Sequence, residues 1–538
     1  MLWRVTLGAG FVLLFLCASA FADGSHPTSK LGKIKFSTSG SEQLQPYFLR
    51  GVAALHSFWY EEALKSFRKG TQLDPDFIMG YWGEAMAHNH VLWEEQNTEA
   101  AREVLAKIKD VTKVSDRERA YVDAAGVLYG DGDKQLRDRA YATAMKKIYR
   151  DYPEDLEAAC FYALSLLGVG RNSEDKLRLQ IQAGEIALDV FRKNSDHPCA
   201  AHYAIHAFDH PDLAVRALPA ALRYAQIAPD SHHAQHMPAH IFVQLGMWPE
   251  ATAANEAAWR HSVNWVDREG LSMGRRDYHS LQWLHYVYLQ QGRYQEADQV
   301  FHLKLKDLIE TAEKGHSPDA KTDRRVAKYL ERMIAASVFE KGRWDWVATF
   351  KEPPAWKPKS YARAVLSFVR GFSAARQGQE DSARYLDDLK TIRQKRFSKN
   401  YFNRPEQLSV WELEIQGEIQ VSNNNFAEAI TLAKKAIAIE EKLSAPSGPP
   451  RILKPAYEWL GEIFLRADRP KEAAQQFTLS LLRHPNRARS FLGAARAAAR
   501  PGDRQGAIQR YSQFLVLWEH ADKGLPELRE ARNYLEQK

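Results

Sequence analysis

A spacing of 34 residues recurs along this chain, and a fixed period of that length implies stacked supersecondary units rather than one globular core. Tyr47 and Gly51 are followed 34 residues later by Tyr81 and Ala85, and the pair His202 and His206 by His236 and His240. A unit of this size cannot bury its apolar face alone, so neighbours must stack. No window shows sustained strand alternation, so the unit is helical and the expected fold is all-α, a solenoid of antiparallel helix pairs.

The packing positions carry the pattern. Tyr47, Gly51, Ala63, Phe67 and Pro75 are spaced so that small residues let two helices touch and a proline ends the second. Near the C-terminus, Tyr457, Leu460, Gly461, Phe464, Ala473, Phe477 and Pro485 repeat the arrangement, and Gly502, Ala507 and Tyr511 extend it. These positions resemble the tetratricopeptide repeat, and the resemblance covers most of residues 44 to 520, with degenerate units between the ends. It implies a right-handed superhelix with a concave surface that binds proteins or peptides. Longer polar insertions, and APSGPP over 445–450, read as loops. The expected organisation is a leader at 1–22, a lead-in at 23–43, a block at 44–310 with a histidine-lined groove, a degenerate connector at 311–400 and a C-terminal block at 401–538.

HYAIH and HMPAH are the segments with chemistry. Side chains four apart share a helix face, so His202, His206, His236 and His240 fall on one side of two stacked helices. In the repeat family those positions line the concave groove, which would aim all four rings at one shared ion, with His279 of the next unit as a fifth ligand or as a group touching whatever the ion binds. Neutral imidazole suits Zn²⁺, Cu²⁺ or Ni²⁺. Neither segment is HExxH, so a general base is missing from the motif. Pro238 inside the second pair has to sit at a helix start or a kink. Asp209, His210 and Gln282 fall nearby in the groove, and His56, Trp82, Glu84 and His90 form a second groove patch. The histidine segments, with DYHSLQWL, also resemble a group of bacterial repeat proteins without an assigned activity.

Arg4, the apolar run from Val5 to Leu16 and the small residues ending at Ala22 read as a cleaved secretory signal, giving a secreted or periplasmic protein. The run is shorter than the ~20 residues of a spanning helix. Removing the leader leaves Cys160 and Cys199, enough for one bridge or two packed thiols. A net charge of +7 without a basic run argues against nucleic acid, and no nucleotide motif is present. Three functions fit: a binding protein with a histidine metal site holding a protein, peptide or small ligand; a metal-dependent hydrolase or copper oxidase; or a metal-free scaffold.

Overall fold

The computed structural model describes residues 30–171, 173–313, 320–396, 404–444 and 446–537. The leader expected at 1–22 lies outside them. Helices follow one another from Gln45–His56 to Pro526–Glu536, most of them packed on their sequence neighbours. Among the described residues the only strand pairing is the short ribbon of Asn89–His90 with Glu95–Gln96. Local chemistry sets many starts. Ser115 closes a capping box with Glu118, Asp155 caps Leu156–Gly170, and prolines open Pro198–Phe208 and Pro470–Arg483. No helix among the described residues is long and apolar enough to cross a membrane.

The same packing device stands at both ends. Phe67 is fully buried between helices Gln45–His56 and Ile78–Met86, where a Cβ on Gly51 or Gly83 would meet its ring at 2.6 and 2.2 Å. Phe477 occupies the equivalent place between Gly461 and Gly493, with the corresponding distances 2.9 and 2.3 Å. Gly493→Ala should therefore overpack the C-terminal unit by about 1–3 kcal/mol. A thermal unfolding midpoint equal to wild type would show that Phe477 can move aside.

One apolar core runs from Leu31 to Val287, a second from Tyr278 to Ala497, and a third covers Ala488–Ala531. Helix Tyr278–Gln290 serves two of them, giving Trp283, Tyr286 and Val287 to the first and Leu281, Leu284 and Leu289 to the second. The cores thus change over at this helix, ahead of the 311–400 stretch. Leu330–Lys341 and Ser360–Arg376 keep apolar faces despite their weak repeat pattern and belong to the second core.

The array closes on itself. Trp248 Nε1 donates to the carbonyl of Asn486 at 2.8 Å, and Trp518 Nε1 to that of Gln290 at 3.0 Å. Gly246 and Gly292, both at positive φ, end helices at these contacts, where a Cβ would meet Asn486 at 2.4 Å and Trp518 at 2.7 Å. Buried beside the seam, Arg487 joins Glu458 (2.7 Å), Glu340 (2.8 Å) and the hydroxyl of Tyr286 (3.0 Å). Lys454 donates to Glu458 at 2.8 Å. Gly246 and Gly292 follow the C-terminal ends of two histidine-bearing helices, Pro238–Leu245 and Tyr278–Gln290.

Candidate metal centre

Helix Pro198–Phe208 carries His202 and His206, and helix Tyr278–Gln290 carries His279. The second pair sits on a broken helix. Ser231 Oγ accepts from the backbone of Ala234 to start His232–His236, Met237 ends it, and Pro238 opens Pro238–Leu245. Proline has no N–H to continue the ladder, so His236 and His240 lie on separate segments while their ring centroids stay 5.1 Å apart.

The expected convergence of four rings on one point is not what forms. The ring nitrogens sort into two triplets, His202 with His206 and His233, and His236 with His240 and His279, each with its ligand atoms within 4.8 Å of one another. His279 joins the second, and His233 completes the first. The centre is also not on an open groove wall. His202 and His236 are fully buried and His240 nearly so, whereas His206, His233 and His279 keep partial solvent contact.

Hydrogen bonds fix which nitrogens are free. His202 Nδ1 donates to the carbonyl of His56 at 2.6 Å, and a carbonyl can only accept, so His202 Nε2 is an unprotonated lone pair. His206 Nε2 and His233 Nε2 approach it at 3.1 and 3.2 Å. One lone pair cannot serve two donors, whereas one cation can take three lone pairs. In the other triplet His236 Nδ1 bonds Asn255 Oδ1 at 2.8 Å, an oxygen oriented by the donation of Asn255 Nδ2 to Ala251. His236 Nε2 is left buried without a protein partner. His240 Nδ1 bonds Asp209 Oδ2 at 2.6 Å, and Asp209 Oδ1 accepts from Gln244. Such acceptors orient metal-binding imidazoles and raise their basicity.

Burial pushes His202 down to about 3 and His236 to about 4, against their neighbouring hydrogen bonds, which act in the opposite direction. Burial, then neighbouring histidines, depresses His206, His233 and His279 well below the ordinary imidazole range. These rings are neutral near pH 7, the form that ligates. Two aromatic residues in left-handed backbone flank the centre. Phe58, at φ 53°, sets its ring 4.3 Å from His202, and Tyr329, at φ 75°, lies 5.6 Å from His279. Bulky residues in that conformation store strain of about 1–3 kcal/mol and concentrate at functional sites. Trp283 packs on His240 and His236 at 4.5 and 4.9 Å.

The remaining expected groove residues take other places. Gln282 is buried, and His210, half-exposed, accepts from the backbone of Asp212. His56, Trp82, Glu84 and His90 form no common patch. Trp82 is core, covered by Phe36 of the lead-in at 5.7 Å. Glu84 pairs with Arg68, and His90 stacks on Tyr60 at 3.9 Å. His56 is interior, its Nδ1 bonded to Tyr203 at 2.9 Å and its Nε2 to Glu157 at 2.5 Å, with His197 on the other carboxylate oxygen at 3.0 Å. Burial acts to raise the Glu157 carboxyl, but the two imidazoles outweigh it and hold it at about 2. This network anchors the His56 carbonyl that orients His202. Cys160 and Cys199 are bridged, with a Cα separation of 6.1 Å, tying helix Leu156–Gly170 to the histidine helix.

No curated protein matches the sequence. Among solved structures, the chain is similar to the human IFIT1 dimer with m7Gppp-AAAA, at 12% identity over 91% of this chain and 92% of that one, with a TM-score of 0.33. It is also similar to the P58(IPK) TPR domain (14%, 71% and 99%, TM-score 0.22) and to the APC/C hetero-tetramer Cut9-Hcn1 (11%, 93% and 96%, TM-score 0.25). At such scores none of them bears on what this chain binds. The family described as tetratricopeptide repeat matches residues 44–77, the unit built around Phe67. That match covers one unit, and helical hairpins continue it to the C-terminus, so the chain has an all-α helical-repeat fold that is similar to the tetratricopeptide repeat.

Proposed function

We propose that this protein is an exported repeat protein whose interior histidines hold a transition metal, zinc, copper or nickel, and that the ion completes a binding centre for a protein, peptide or small ligand. The observation that carries the reading is the meeting of His206 Nε2 and His233 Nε2 at a His202 Nε2 whose tautomer leaves it unprotonated. Export is supported by the N-terminal pattern and by the Cys160–Cys199 bridge, since disulfides persist in oxidising compartments. A metal-dependent enzyme, hydrolase or copper oxidase, is the second reading. What favours it is that three histidines leave a coordination position open, as catalytic metal sites do.

Elemental analysis of untagged protein tests the reading. Wild type should carry stoichiometric metal, and His202→Ala/His236→Ala should lose most of it while remaining folded. Equal trace metal in both proteins would leave a metal-free interaction scaffold.

A further inference from the structure

Within the triplets, ring centroids lie 4.8, 5.0 and 6.4 Å apart for His202, His206 and His233, and 5.1, 4.7 and 6.3 Å apart for His236, His240 and His279. Between the triplets, His206 and His240 are 6.0 Å apart, and His233 and His236 are 6.4 Å apart. The gap between the groups is therefore no wider than the gaps inside them, and the six rings form one continuous array. A mononuclear site has no use for six imidazoles, and no single ion reaches all of them at about 2.0–2.1 Å.

Each triplet also has its own supports. The first is oriented by the His56 carbonyl and walled by Phe58, which lies 5.6 Å from His206 and 5.8 Å from His233. The second is oriented by Asn255 and Asp209 and walled by Trp283. Neither set borrows from the other, as expected for two ligand sets that each hold an ion.

We infer that the six histidines form two adjacent three-histidine sites, which bind two transition-metal ions bridged by a small oxygen-donor anion such as hydroxide or a carboxylate. The inference rests on the metal reading above. Three neutral donors leave each ion short of four-coordination, and side-by-side sites place the vacant positions within reach of one bridging group, as in two-metal centres with ions about 3.5–4 Å apart. Charge demands that the bridge be anionic. Two divalent ions bring four positive charges, and the nearby carboxylates of Asp209, on His240, and Asp277, 3.5 Å from His232, return only two. Arg171 and Lys328 act on His206 and His279 with the same positive sign. An uncompensated excess in a largely buried centre is costly, and an oxyanion relieves it.

Full-length mature protein reconstituted with Cu²⁺ and freed of excess ion tests this. The expected result is two equivalents bound in wild type and one in each of His233→Gln and His279→Gln, with circular dichroism unchanged. Spin coupling should diminish the electron paramagnetic signal of wild type, and each variant should show an ordinary isolated-copper signal. Acetate should shift the visible copper band of wild type more than that of either variant. One equivalent in wild type, lost in both variants, would overturn the two-ion inference and leave a single metal site. No bound copper in wild type would remove the metal reading itself. An acetate response equal in all three proteins would overturn the bridge.

Discussion

Glu458→Ala should lower the free energy of unfolding by about 3–5 kcal/mol, the cost of breaking a buried ion-pair network by removing the carboxylate that two cations share. Arg487, 1% accessible, keeps only Glu340 and Tyr286. Lys454, 2% accessible, loses the same carboxylate. Replacing the pair together, as Glu458→Leu/Arg487→Met, should not recover the loss, because Glu340 is then left buried without Arg487. Urea unfolding of both variants checks this. A single-variant loss below about 1 kcal/mol, typical of an exposed pair, would show that water reaches Arg487. The pH dependence has a definite sign. Burial acts to raise the Glu458 carboxyl, but Arg487 and Lys454 outweigh it and hold it well below the ordinary value of 4.5. The contribution is therefore complete above about pH 4.5 and is lost as pH falls toward the folded value. A Glu458→Gln variant should show a flatter acid limb than wild type.

The second large effect belongs to the histidines. If the folded protein alone binds metal, free ion at a thousandfold excess over Kd stabilises it by about 4.1 kcal/mol per site. Calorimetry should show a higher unfolding midpoint on loading with Zn²⁺, reversed by a chelator and strongly reduced in His202→Ala/His236→Ala. A midpoint indifferent to both metal and chelator would mean that the imidazoles form only a hydrogen-bonded core. Direct titration by calorimetry would give the same answer without unfolding.

What could be read from the sequence was whatever depends on period. The 34-residue spacing marked equivalent helix faces, and His202, His206, His236, His240 and His279 do meet in one region. His233 carries no periodic signal, because it lies outside both HxxxH pairs. Its position depends on a helix that begins at His232 and breaks at Met237, and Pro238 signals a break without its angle. The same break separates one expected site into two triplets. His56 and His90 show how little a shared period fixes. They obey the period equally well, yet His56 turns inward to Glu157 while His90 stacks on Tyr60. Equivalent positions in a repeat share a direction, not a neighbourhood. The bond from Trp248 to Asn486 spans 238 residues and has no local signature at all.

That long bond has an evolutionary corollary. Open solenoids tolerate gain or loss of a unit at either end, because each unit touches only its neighbours. Here the last hairpins are docked at Gly246 and Gly292, fixed addresses in the middle of the chain. Duplicating or deleting one unit between them would rotate the terminal helices away from both. Copy number in this chain is thus pinned, in the way that a ring accepts only the number of segments that closes it.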